Sequence, residues 1–461
     1  MSFDLKAILD KRRGENYELH RKFLNAQMVR VLSTIGFDRF YERGEGAYLI
    51  DRAGERYLDF LSGFGVFALG RNHPTVKQAL ADALEGDLPA LAQMDCALLP
   101  GLLAEALLAI APASLSRCFF ANSGTEAVEA ALKFARCATG RPRFVYCHHG
   151  YHGLSYGALS VNGEEEFRPG FEPFLPGCAG VPFGDLEALE RELARGDVAA
   201  FITEPIQGHG VFLPPEKYLA EAQQLCRRHE SLLIVDEIQT GLGRTGRFFA
   251  FEHWGIEPDM VTLAKALSGG FVPVGAVLCR DETFARVFHH IDRAVVHGST
   301  FAKNPLAMVA GLATLHVIAE EGLVERAARM GEALMRRTRP LVEKYELLQD
   351  VRGKGLMLAY EFGGPRSLKL RVGFRLIEAA RKGLFSQLVT VPLFQRHRIL
   401  TQVAGPHINA VKILPPLVIG DEEVEAFAAA LEDVVADCHR YPGTLWDFGR
   451  TLARQAIRGS S

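Results

Sequence analysis

Apolar residues in this chain follow two rhythms. Short unbroken runs that end in polar or charged residues alternate with stretches at helical spacing. The clearest run is Leu232-Leu233-Ile234-Val235, which passes straight into Asp236 and Glu237. An unbroken apolar run of this length suits a strand buried on both faces of a parallel sheet. Residues 117–121, 144–147, 199–203 and 260–264 read the same way, ending before Asn122, His148, Glu204 and Lys265. From about residue 75 to 292 this alternation predicts a mainly parallel sheet with crossover helices. Helical spacing returns at 304–320, at 323–345 and at 422–438, the last expected to be capped by Asp421. Tyr48-Leu49-Ile50 and Tyr57-Leu58 flank a turn-rich connector, which predicts a hairpin. Up to about Arg43 the chain is charged and helical in pattern, with Leu19, Phe23, Gln27 and Val31 on one face. That helix is expected to dock on the body or on a partner subunit; the alternative is a basic amphipathic helix lying on a membrane.

Composition narrows the class. At 461 residues the chain exceeds one typical core, so two or three compact units are expected. A 48% hydrophobic, 23% charged chain reads as globular, and a net charge of -3 gives no basic footprint for nucleic acid. The eight cysteines show no paired CxxC spacing, which suits reduced thiols and a cytoplasmic location. No stretch reaches the roughly 18 apolar residues of a spanning helix, so stable membrane insertion is not expected. The first residues, Met1 to Lys6, lack the apolar core of a signal peptide.

The strand ends carry the candidate chemistry. In open α/β folds the ligand crevice lies at the carboxyl ends of the strands. Asp236 there either holds a metal, pairs with a cation or accepts a hydrogen bond from a charged cofactor. Lys265, partly desolvated at a strand mouth, is a candidate amine nucleophile for a Schiff base; the alternative is a surface lysine. Ser123 with Glu126 is a capping box, and the small-residue turn around Gly124 and Thr125 opens a helix, a ready anion site. His148, His149 and His152 suggest a metal, but Gly150 and Gly153 interrupt the stretch and favour a loop that contacts a cofactor. The glycine-rich run 62–70 brings Phe64 and Phe67, either as an apolar entrance or as core.

Together these residues meet a known pattern. Asn122 to Glu126, Tyr151-His152-Gly153, Glu204 to Gly208, Asp236 to Gly241, Lys265, and His297 to Phe301 with Asn304-Pro305 resemble the class III pyridoxal-phosphate aminotransferases over about residues 40–438. That family includes ornithine, acetylornithine and 4-aminobutyrate enzymes. The resemblance implies an α/β protein of fold type I: a large domain, 76–300, with a mainly parallel seven-stranded-type sheet. It also implies a smaller α+β domain built from both chain ends, 1–75 and 301–461. It implies pyridoxal 5'-phosphate as cofactor, with Lys265 as the Schiff-base lysine and Asp236 against the ring nitrogen. Gln239 is expected on the ring hydroxyl, Ile238 behind the ring, Tyr151 stacked outside it, and His152 and Glu204 in the same cofactor shell. Ser123, Gly124 and Thr125 are expected on the phosphate, with Thr300 reaching it from the second subunit of a homodimer with shared sites.

The departures from that pattern concern substrate. Where the ornithine and 4-aminobutyrate enzymes carry an acid after the Glu-Pro-x-x-Gly run, this chain has His209. Where they carry an arginine that clamps the α-carboxylate of glutamate, it has Lys412, a point charge without the planar fork. Phe64, His209 and Lys412 are therefore the candidate substrate residues. The apolar segment 384–394 either walls a pocket, with Phe64 and Phe67, or is additional small-domain core. The expected reaction is transamination between a terminal amine or aldehyde, on a large or apolar skeleton, and an oxo acid such as 2-oxoglutarate. An ornithine- or diamine-type enzyme, an aminomutase, racemase or decarboxylase, and a non-catalytic scaffold are the alternatives.

Overall fold

The computed structural model describes residues 3–90, 95–440, 442, 443, 446 and 449. In chain order its strands are β1 (Tyr41–Glu45), β2 (Tyr48–Asp51), β3 (Arg56–Asp59), β4 (Arg117–Ala121), β5 (Arg143–Cys147), β6 (Cys178–Val181), β7 (Val198–Thr203) and β8 (Leu232–Asp236). They continue as β9 (Met260–Leu263), β10 (Gly275–Cys279), β11 (Leu348–Lys354), β12 (Met357–Phe362), β13 (Ile399–Leu400), β14 (Gln402–Val403) and β15 (Ala410–Ile413).

Seven of these form one sheet in the order β4-β10-β9-β8-β7-β5-β6. Its strands pair in parallel except β10, which runs antiparallel to both β4 and β9. The unbroken apolar run of β8 has the expected cause. Ile234 faces one core, against Ala131 and Ala135 of the helix Gly124–Thr139, while Leu233 and Val235 face the other. Both faces are covered, so the period-two alternation of a half-exposed strand is absent. β8 and β9 lie side by side with Asp236 opposite Thr262, and this register places the Lys265 backbone next to the tip of β8.

Two smaller sheets complete the architecture. The predicted hairpin is present, Tyr48 opposite Leu58, and its sheet takes its fourth strand, β13, from the far end of the chain, Leu58 opposite Ile399. The other sheet, β11-β12-β15-β14, is antiparallel and carries Lys412 in register with Ala359 and Gln402. Phe60, after the hairpin, stacks on Phe427 of the C-terminal helix at 5.0 Å, so both chain ends share one core.

Some expectations need correction. The N-terminal region is three short helices, Leu5–Lys11, Asn16–Phe23 and Ala26–Ile35. Asp4 and Asn25 cap the first and third, each accepting backbone N–H bonds that restart the helix. Phe23 and Val31 are exposed on this chain. The helix expected over 323–345 ends at Thr338, because Pro340 cannot continue it, and a single turn, Leu341–Lys344, follows. Asp421 is the first residue of the last helix, not its cap; the N–H of Gly420 donates to the Glu423 carboxylate instead. Among the described residues no single helix is long and apolar enough to cross a membrane.

Replacing Phe60 by Ala removes a fully buried ring that joins the two chain ends. We expect a loss of about 3–5 kcal/mol in chemical denaturation, the range for large aromatic truncations in a core. A loss below about 1 kcal/mol would mean that the hairpin and the C-terminal helix do not depend on one another.

Candidate active site

The carboxyl ends of β8 and β9 open into a cavity of about 1170 Å³. Asp236 sits on its floor, buried and held by three donors. Its Oδ1 accepts from the Thr262 hydroxyl and from the Ile238 N–H, both at 3.0 Å, and its Oδ2 faces His152 Nδ1 at 2.7 Å. Thr262 comes from the neighbouring strand and His152 from the loop after β5, so three elements fix one side chain. Burial pushes the His152 pKa down, but the hydrogen bond and charge of Asp236 outweigh it, with Glu204 adding to them, and the net shift is upward.

Lys265 follows β9 with φ of +42°, in the left-handed region that a non-glycine residue adopts at a cost. Burial pushes its pKa down, opposed by the charges of Asp236 and Glu204. The lysine therefore yields a neutral amine more readily than a surface lysine does. Glu204 braces the adjoining loops, its two oxygens accepting from the N–H of Tyr151 at 3.0 Å and of Gly208 at 2.8 Å.

A second wall is the start of the helix Gly124–Thr139. Ser123 Oγ accepts from the Glu126 N–H, and the Glu126 carboxylate reaches back to the N–H of Asn122, one residue earlier than in the usual box. The N–H groups of the first turn have no partner inside the helix, as at any helix start. Gly124 keeps this turn open beneath the ring of residues at the cavity: a Cβ there would stand 2.9 Å from the Ile238 side chain. Thr125 is tied to Ser155, and Ser155 donates to Glu129, at 2.6 Å each.

Every residue expected to hold cofactor or substrate lines this one cavity except Thr300; of the other candidates, His148 and His149 do not line it. Gln239 donates to the Phe64 carbonyl at 3.1 Å, and its Oε1 accepts from Lys412 Nζ at 3.2 Å. Phe64 is exposed at the mouth, whereas Phe67 lies outside the lining, stacked under the Arg71 guanidinium. The Tyr151 ring packs at 5.2 Å from the ring of His209. Thr300 is exposed and is not among the residues that line the cavity of its own chain. Segment 384–394 resolves toward core: Phe385, Leu388, Val389, Leu393 and Phe394 are fully buried, and only Leu384 and Gln387 of the segment reach the cavity. A continuous apolar run fits either fate, and the helix Gln387–His397 turns most of its side chains inward.

Two functional-site residues were not legible in the sequence. Thr262 lies inside an apolar strand with nothing to distinguish it from a β-propensity threonine. Glu164, beside the cavity, stands 3.2 Å from His209 Nδ1 and 3.4 Å from His149 Nδ1. Burial raises its pKa, but the two histidines outweigh this and leave it lowered.

The donor set suits pyridoxal phosphate: a buried carboxylate, an amine of lowered pKa from the adjoining strand, and an open helix start for a phosphate. The comparisons agree. The aminotransferase class III family model matches residues 33–435. The chain is 35% identical over 457 residues to Aminotransferase PigE of a Serratia species, covering 92% of this chain and 54% of that protein. The chain thus spans about half the length of that relative. It is 41% identical over 398 residues to the acetylornithine aminotransferase of Methanopyrus kandleri, 85% of this chain and 93% of that one. The ornithine aminotransferase of Toxoplasma gondii, solved with partial occupancy of PLP at its active site, superposes with a TM-score of 0.81 at 30% identity, covering 94% of this chain and 98% of that one.

The Asp236–His152 pair has a pH signature. The folded-state pKa of His152 is raised, so the pair's contribution to stability is fully present below about pH 6.5 and is lost as pH rises through the raised value. Stability against pH, measured by denaturation of the wild type and of His152→Gln, should differ most on the acid side and converge upward. A difference that grows with pH would contradict the pairing.

Proposed function

The chain belongs to the class III aminotransferase family, and on that footing we propose that it is a pyridoxal-phosphate-dependent aminotransferase. It moves an amino group between a terminal primary amine on a large apolar skeleton and an oxo acid such as 2-oxoglutarate. The observation that carries the reading is the convergence of Asp236 and Lys265, from the tips of adjacent parallel strands, on one cavity.

When bound, pyridoxal phosphate supplies an electron sink for the electrons released at the substrate carbon. The chain's own residues do the rest. Asp236, fixed by Thr262, Ile238 and His152, would hold a proton at the ring nitrogen. Lys265 is the amine that would hold the cofactor's aldehyde and, when free, would serve as the proton carrier of the site. Ser123, Gly124 and Thr125 would receive the phosphate, Gln239 the ring hydroxyl, and Ile238 and Tyr151 the ring faces, while Glu204 and His152 hold the surrounding loops and carboxylate. The unit 76–300 is the cofactor-binding domain, with 1–75 and 301–461 forming the smaller one.

The lining supports the proposed substrate class. Phe64, Leu154, Phe167, Phe271 and Leu384 give the cavity apolar walls. The exposure of Thr300, with Val295 and Phe301 also exposed, supports the proposed partner contribution. We read that strip as the face of a homodimer through which Thr300 reaches the partner's phosphate site. All eight cysteines are free, which supports a cytoplasmic location.

Lys265→Ala should abolish both the visible absorbance of the bound cofactor and turnover with an apolar primary amine, while circular dichroism stays that of the wild type. Intact turnover in this variant would overturn the assignment. Preference for ornithine or 4-aminobutyrate over every apolar amine would overturn the substrate class.

A further inference from the structure

The helix Leu368–Ala380 lies on the surface and is held by one face. Leu370, Gly373 and Ile377 are buried on that face, and Phe374 packs on Phe385 with ring centres 5.0 Å apart. The opposite face carries Leu368, Val372 and Leu376, which are 73%, 47% and 56% exposed. A spacing of four residues sets them one above the other, as a ridge aimed away from the protein. Five exposed cations flank this ridge or continue from its end: Arg366, Lys369, Arg375, Arg381 and Lys382. Among the described residues none of the five has a carboxylate at ion-pair distance. The one acid of the segment, Glu378, is turned inward, where it accepts from the N–H groups of Gly383 and Phe385 and from the Asn409 amide. The whole chain carries a charge of -3, so this positive excess is local. Arg381 and Lys382, followed by Gly383 and Leu384, carry it to the cavity.

We propose that this face docks on an anionic phospholipid bilayer, and that the enzyme draws its apolar amine or aldehyde from the bilayer through the adjoining cavity mouth. The proposal rests on the apolar-substrate reading above and adds where that substrate is met. Three observations select the occupant. First, leucine and valine set among cations are the makings of a helix that lies in a membrane interface, alkyl groups in the acyl boundary and cations among the headgroups. Second, the exposed charge has one sign and complements an anionic leaflet. The same excess disfavours a second copy of this face, which would set five cations against five. It also disfavours the chain's own last residues, 450–461, which carry three arginines and no acid. Third, the basic ridge runs directly into the cavity, and an apolar amine partitions into a bilayer with its polar end at headgroup depth. One 13-residue helix with three apolar residues on its outer face gives reversible attachment and not insertion.

The test is co-sedimentation of the cofactor-loaded enzyme with vesicles. The wild type should bind phosphatidylcholine vesicles containing about 30% phosphatidylglycerol at about 50 mM salt, come off at about 500 mM, and ignore phosphatidylcholine alone. Lys369→Glu with Arg375→Glu should weaken binding by about 25-fold or more, at about fivefold per charge removed. Leu368→Ser with Leu376→Ser should weaken it several-fold. All four positions are exposed and outside the cavity, so turnover of hexylamine in buffer should match the wild type and thereby report an intact fold. The KM for dodecylamine carried in anionic vesicles should rise several-fold in both double variants. A wild type that does not sediment with anionic vesicles, or double variants that bind as the wild type does, would overturn the proposal. Binding to soluble polyglutamate in place of vesicles would assign the face to an acidic protein and overturn it equally. Failure to bind vesicles with hexylamine turnover intact removes this inference alone. Vesicle binding by an enzyme that turns over no apolar amine removes the substrate reading and leaves the docking surface.

Discussion

A carboxylate buried at the end of a parallel strand is the constraint on which the rest of this molecule depends. Taking Asp236 out of water is costly unless its lone pairs are met, and Thr262, Ile238 and His152 meet three of them. Each donor comes from a different piece of backbone: the next strand, the turn that follows, and the loop after β5. The sheet register, the turn and the loop must therefore all be correct before the carboxylate is satisfied. In exchange the site holds a negative charge that water does not screen, next to an amine whose own charge burial disfavours.

The topology places these groups without long reach. In the order β4-β10-β9-β8-β7-β5-β6, the strand that ends in Asp236 is β8, and those that lead to Lys265 and Glu204 are its two neighbours; all three run in parallel. Their carboxyl ends therefore meet on one edge. The antiparallel β10 brings the backbone of Gly275 so close to Ser123 that a side chain there would collide with the Ser123 carbonyl, which locks the helix start against the sheet. Phosphate cup, amine and acid are thus separate products of one sheet.

Where the cause was local or buried on both faces, the sequence made it readable. The run at 232–236 is the observed β8 to the residue, and the helix opened by Ser123 begins at Gly124. The hairpin at 48–58 was legible from its turn residues. What was not legible is whatever depends on a distant partner. Phe385 and Phe394 read equally as pocket wall or core until the helix Gln387–His397 shows which face turns inward. Glu164 is an unremarkable acid until the fold sets it behind His209. Thr262 becomes a ligand to Asp236 only through strand register. The N-terminal stripe of Leu19, Phe23, Gln27 and Val31 presupposed one helix, and Asn25, by capping a new one, broke the phase.

The substrate side follows a different logic from the cofactor side. Around Asp236 both carboxylate oxygens have donors close by, which fixes the floor. Lys412, in the wall, donates to two neutral acceptors, the Gly208 carbonyl and Gln239 Oε1. The central claim is the grip of Asp236 on a protonated ring nitrogen, and nitrogen-15 NMR of ring-labelled cofactor in the holoenzyme tests it most directly. The account predicts a protonated pyridine nitrogen at pH 7 in the wild type that becomes unprotonated in Asp236→Ala. An unprotonated nitrogen in the wild type, or one that does not respond to the loss of Asp236, would contradict it.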